Sequence, residues 1–166
     1  GDLSGDGIPD VLIVTSDGFS TNDNAVLRLL DGSSGAEHWG PDVDVFKSEY
    51  YVQPRVTPAV GDIDGDGLPE VVTGTKTSGI IAFEHDGTFK WRGTYQNGDV
   101  WDGQLRSSAF ALADLEGNGS VEVIVAGVVF ESNGTLRFDN GTMAGSADGD
   151  YGAVSIVADI DSDPEQ

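Results

Sequence analysis

The chain has no cysteine, so neither a disulfide framework nor a thiolate metal site holds it together. Basic side chains are scarce. Lys and Arg number 8 against 29 Asp and Glu, a formal net charge of −21 at pH 7. Nucleic acid and anionic membrane surfaces both require positive patches, so both are excluded as partners. No apolar run is long enough to span a bilayer, so no membrane insertion is expected, and no segment carries a convincing helical pattern. The two histidines, His38 and His85, lie beside turn signals and do not read as catalytic. No nucleophile elbow, phosphate-binding loop or Cys/His cluster is present. No leader peptide is visible, and the chain opens one residue before a candidate metal ligand, which reads as a processed or excised start.

What the chain has in quantity is acid in a fixed pattern. Residues 61–70, GDIDGDGLPE, place Asp62, Asp64 and Asp66 at alternate positions, then Gly67, then Glu70. Side-chain oxygens at loop positions 1, 3 and 5, a backbone carbonyl at 7 and a carboxylate at 9 suit a hard, oxygen-seeking cation such as Ca²⁺. Glycine at position 6 permits the positive φ of the sharp turn. The skeleton recurs at residues 2–10 (DLSGDGIPD) and 114–122 (DLEGNGSVE). A fourth copy starts at Asp159, Asp161 and Asp163, but Pro164 stands where the glycine should be. The loop starts, at 2, 62, 114 and 159, are spaced as in a propeller or repeat array.

A β-branched run follows each loop, at 11–14, 71–73 and 123–125, and reads as a short buried strand. This separates the loops from EF-hands, in which a helix follows and a Glu stands at position 12. A second strand then leads to a turn and a strand ending in an aromatic. These are 26–30, 31–35 and 36–39; 80–83, Asp86-Gly87 and 88–91; and 128–130, Asn133-Gly134 and 135–138. Asp-Gly and Asn-Gly between apolar runs are strong hairpin signals. A further apolar run precedes each later loop, at 56–60, 109–113 and 153–158. The pattern predicts an all-β chain, a β-propeller segment of four-stranded antiparallel blades with the calcium loops between first and second strands. The units run 1–54, 55–106 and 107–150, with a further blade beginning at 151–166. Trp39, Trp91 and Phe138 recur at matching positions and read as packing residues. The linker aromatics Tyr95 and Trp101 are less regular and remain open to a ligand-contact role.

The loop and its following Val/Ile strand, repeated at blade spacing, resemble FG-GAP/VCBS-type repeats. These are the calcium-binding propeller repeats of integrin α-subunits and many secreted bacterial proteins. The resemblance implies ligands at Asp2, Ser4, Asp6 and Asp10; at Asp62, Asp64, Asp66 and Glu70; and at Asp114, Glu116, Asn118 and Glu122. Backbone carbonyls would come from Ile8, Leu68 and Ser120. It implies about three Ca²⁺, with a fourth at Asp159, Asp161 and Asp163, and an extracellular or cell-surface protein. The Phe-Gly and Gly-Ala-Pro signatures of the integrin version are absent, so integrin-like ligand recognition does not carry over.

Two functions fit. One is a non-catalytic, calcium-stabilised structural, adhesive or ligand-binding module whose ligand is protein or polysaccharide. The other is the propeller scaffold of a carbohydrate-active enzyme such as a polysaccharide lyase. The second needs basic and phenolic groups in one cleft, and the stock is thin: Arg55, Lys90, Arg92, Tyr95 and Arg106. Propellers have about 4–8 blades, so three blade-equivalents are expected to be completed by further blades of the same polypeptide or by neighbouring copies. By carboxylate count, the second loop is expected to bind calcium most tightly.

Overall fold

The computed structural model describes residues 1–18, 20, 23–105, 107–140 and 153–158. Among the described residues, ten strands form three antiparallel sheets, as the loop-and-hairpin pattern predicts. The first sheet pairs β1 (Val11–Ser16) with β2 (Ala25–Leu30). The second has the order β3 (Ala59–Gly61), β4 (Glu70–Gly74), β5 (Ile80–Phe83), β6 (Phe89–Arg92). The third repeats it with β7 (Phe110–Ala113), β8 (Glu122–Val125), β9 (Val128–Phe130), β10 (Leu136–Asp139). Helix is confined, among the described residues, to two three-residue 3₁₀ turns at Asp44–Phe46 and Ser48–Tyr50. No described helix is long and apolar enough to cross a membrane.

The middle sheet explains the rest. Every residue of β4 and β5 is buried, because both faces of this sheet are covered. Val71, Ile81 and Phe83 pack toward the first unit with Leu27, Leu29 and Trp39. Val72, Ile80 and Ala82 pack toward the third with Val123, Val128 and Phe130. Two cores therefore lie between units rather than within them. Fully burying one such side chain contributes about 1.5–3 kcal/mol, so each unit draws its stability from its neighbours.

Two sets of contacts repeat across these two junctions, and a third repeats from the second unit onward. The first is an indole latch. Trp39 Nε1–H donates to the His85 carbonyl at 2.9 Å, and Trp91 Nε1–H donates to the Ser132 carbonyl at 2.9 Å. The turn glycine beyond each acceptor lies on the indole face. A Cβ added at Gly134 would approach the Trp91 ring to 2.6 Å, and one at Gly87 the Trp39 ring to 3.1 Å. Second, Val45 N–H and Thr94 N–H donate to the carbonyls of those same glycines, at 3.1 and 2.9 Å. Third, the inner strands are joined in parallel through Thr57↔Ala109 and Ala109↔Val154. These residues are 52 and 45 apart, the spacing of the loops themselves.

The first and last units depart from the expectation. Residues 36–39 form no strand, only a single bridge between Leu30 and Glu37. The cause lies in the preceding turn, where Asp31 Oδ1 accepts from the amides and hydroxyls of both Ser33 and Ser34. This stabilises a wider loop, closed by Asp31 with Ala36, than the three-residue hairpin loops of the other units. Of the expected strand at 153–158, one bridge forms, Ala109 to Val154.

The two serine hydroxyls, together with the Ser34 amide, hold the Asp31 carboxyl down at about 2, below its ordinary 3.8. The folded state thus binds its proton less readily than the unfolded one. The contribution is complete above about 4 and lost as pH falls through 2. Urea midpoints of wild type and D31N should differ at pH 5 and converge toward pH 2. A gap that is constant with pH would refute this.

Candidate metal centres

The three acidic loops share one geometry. Glycines at positions 4 and 6 adopt positive φ in each: Gly5 and Gly7 at 77° and 88°, Gly65 and Gly67 at 80° and 92°, Gly117 and Gly119 at 65° and 88°. Only glycine reaches this region cheaply. The first-position carboxylate gathers the loop amides that this turn points inward. Asp2 Oδ2 accepts from Gly7 N–H at 2.8 Å, Asp62 Oδ2 from Gly67 at 3.0 Å, and Asp114 Oδ2 from Gly119 at 2.7 Å. The amides at position 7 are held by position 5: Ile8 by Asp6, Leu68 by Asp66 and Ser120 by Asn118.

The ninth-position carboxylate closes each loop from below, at the start of the following strand in the second and third units. Asp10, Glu70 and Glu122 are all buried, and each accepts the amide of position 2: Leu3, Ile63 and Leu115, all at 2.9 Å. Their environments differ. Burial acts to raise the Asp10 carboxyl, but the donors of Ser4 and Leu3 outweigh it and hold the group below the usual range. Burial dominates at Glu70 and pushes it up to about 7, with the Lys90 ammonium acting the other way. At Asp114 the Gly119 amide leads the donors that hold the carboxyl down.

In the second loop Asp62, Asp64 and Glu70 bring one oxygen each within 4.8 Å of one another. An all-oxygen set of this kind fits Ca²⁺ or Mg²⁺ rather than a softer metal. In the third loop Glu122 Oε1 is buried without a hydrogen-bond partner and faces Arg137 Nη1 at 3.5 Å. The fourth loop, Asp159, Asp161 and Asp163, lies outside the described residues.

Two of the basic groups are committed to these loops. Lys90 Nζ reaches Asp64 at 2.6 Å, Glu84 at 2.9 Å and Glu70 at 3.5 Å. Arg137, at the matching place on β10, pairs with Glu116, with Glu122 at 3.5 Å and with Glu131 at 3.9 Å. Sequence reasoning treated Lys90 only as part of a thin catalytic stock and passed over Arg137. The signal was present, since a basic residue directly precedes the aromatic in each last strand.

Of the other enzyme candidates, Arg106 lies outside the described residues, and two more are engaged elsewhere. Arg92 donates to the Glu49 carbonyl at 2.9 Å and Tyr95 to Asp102 at 2.8 Å. Trp101, left open to ligand contact, is 1% exposed and packs edge-on against Phe130. It is a core residue. Phe138, read with Trp39 and Trp91 as a packing residue, is 56% exposed.

The first unit carries a different feature. Arg28 occupies the register position of Ile81 and Val128, which the inner junctions bury. It pairs with Glu37 at 2.8 Å, lies 5.6 Å from the Phe46 ring centroid, and borders an open groove of about 640 Å³ with His38 and Tyr51.

The repeat fold and its loops agree with the family comparison. Residues 2–73 and 62–125 match the FG-GAP-like repeat family, and the chain belongs to that family. A comparison with curated proteins gives no match. Among solved structures it is similar to the V. cholerae biofilm matrix protein Bap1, at 29% identity and a TM-score of 0.66 over 84% of this chain. The chain spans 23% of the length of that protein.

Proposed function

We propose that the chain is a calcium-stabilised structural and adhesive module of an extracellular protein, non-catalytic in itself. The observation that carries this reading is the turn geometry shared by the loops of three successive units, together with the convergence of Asp62, Asp64 and Glu70 in the second. Carboxylates placed this close repel one another unless a cation intervenes, and the repeated glycine turn and first-position carboxylate bonding extend the reading to the other two loops. The family membership and the likeness to a biofilm matrix protein support a structural role outside the cell.

On this reading the ligands are Asp2, Ser4, Asp6 and Asp10 in unit 1–54; Asp62, Asp64, Asp66 and Glu70 in unit 55–106; and Asp114, Glu116, Asn118 and Glu122 in unit 107–150. The carbonyls of Ile8, Leu68 and Ser120 complete the sets. When bound, the ion supplies fixed positive charge that ties each loop to the start of its strand. The chain's own residues preset the loop through the amide bonds to Asp2, Asp62 and Asp114. The partners are further blades of one polypeptide or neighbouring copies, together with a protein or polysaccharide ligand.

Isothermal titration of the metal-free protein should register about three calcium ions per chain, with Kd on the order of 10⁻⁴–10⁻³ M as in extracellular modules. D62A and D114A should each remove one ion. A stoichiometry of zero in folded protein would overturn the assignment.

A further inference from the structure

The cation that a loop needs is, in two of the three units, partly supplied by the chain itself. Lys90 stands directly before Trp91 on β6, and Arg137 directly before Phe138 on β10. Each reaches across its sheet to the third- and ninth-position carboxylates of its own loop: Asp64 and Glu70 for Lys90, Glu116 and Glu122 for Arg137. Each is also anchored by an acid two residues ahead of the hairpin dipeptide, Glu84 or Glu131. The first unit has neither Lys nor Arg at this position; His38 stands there.

We propose that Lys90 and Arg137 are resident counter-cations that set the calcium affinity of the second and third loops. This inference rests on the calcium reading above. The Lys90 side chain is 14% exposed and Glu70 is fully buried, so their attraction is little screened by solvent. A calcium ion entering the second loop meets an ammonium already bound to two of its ligands. Either the ammonium withdraws to Glu84 or the two positive charges share the site, and both lower the affinity. In return, the resident charge keeps the loop carboxylates compensated when calcium is scarce. Carboxylate count alone makes the second loop the tightest. With Lys90 included, that advantage over the first loop is cancelled.

The test uses three equivalent reporters. The amides of Gly7, Gly67 and Gly119 each bond the first-position carboxylate of one loop, so their ¹H–¹⁵N resonances follow the three loops separately during a calcium titration. In K90M the Gly67 midpoint should move to at least tenfold lower calcium while Gly7 and Gly119 stay within twofold. K90R should behave as wild type. K90M should also melt at lower temperature than wild type in chelator and approach it in saturating calcium. If K90M does not fold without calcium, K90Q, which keeps an amide donor at that place, is titrated instead. A Gly67 midpoint equal in wild type and the neutral variant, with calcium still bound, overturns the counter-cation proposal and leaves the calcium reading standing. No response of any of the three amides in folded protein overturns the calcium reading and this inference with it.

Discussion

Trp39→Ala is expected to destabilise the protein by about 3–5 kcal/mol, the usual range for deleting a large buried aromatic. Trp39 is 4% exposed, packs in the core between the first two units and donates its indole N–H to His85. Alanine leaves a void between Leu27, Phe83 and the Gly87 turn, and also leaves the His85 carbonyl without its donor. Trp39→Phe restores most of the volume but not the donor, and should cost nearer 1 kcal/mol beyond any repacking. Phe138→Ala, at the corresponding place on β10 but 56% exposed, should fall within about 0.5 kcal/mol of wild type. Urea unfolding followed by circular dichroism gives all three values. Equal losses at 39 and 138 would show that the latch contributes nothing beyond its residue type.

Removing calcium should have a comparable effect. At roughly tenfold excess over Kd, a bound ligand stabilises by about 1.4 kcal/mol per site, so three sites give about 4 kcal/mol. That is a large share of the ~5–15 kcal/mol that holds a domain folded. For a chain of this size it corresponds to a fall of about 10 °C in melting temperature on adding chelator. Restoring calcium should recover the loss. An unchanged melting temperature, with metal analysis confirming removal, would refute calcium stabilisation.

The parts of the structure that sequence made legible are those set by short-range chemistry. Asp86-Gly87 and Asn133-Gly134 mark the two hairpins and the strands on either side pair as expected, although each loop has three residues, closed by Glu84 with Thr88 and by Glu131 with Thr135. The loops follow from glycine spacing, and the buried strands from Val and Ile runs that a sheet covered on both faces requires. In the first unit the same reasoning failed at 36–39. There the serine hydroxyls of Ser33 and Ser34 compete for the turn, and their effect depends on which carboxylate they meet. The recurrence of an aromatic marked packing positions at Trp39 and Trp91 but not at the exposed Phe138, and the acceptors lie 46 and 41 residues further on, where no local pattern names a backbone carbonyl. Lys90 and Arg137 were obscured for a related reason. A strand residue reaches a loop 26 or 21 residues earlier only once the sheet has formed.

The latch also bears on how such a chain grows and diverges. The second unit contributes the Trp91 indole to the unit after it and a turn glycine, Gly87, with its carbonyl neighbour to the unit before. Donor and acceptor are therefore carried together in that unit, whereas the third, with Phe138, carries only the acceptor. A tandem duplication of the second unit would bring both halves of the joint with it, and the new junction would be complementary from the first generation. Substitution at either half is constrained by the neighbour rather than by the unit itself. A change at Gly134 that widens the turn is tolerable only where Trp91 has become smaller, so such pairs should change together along a lineage while loop ligands and outer linkers drift independently.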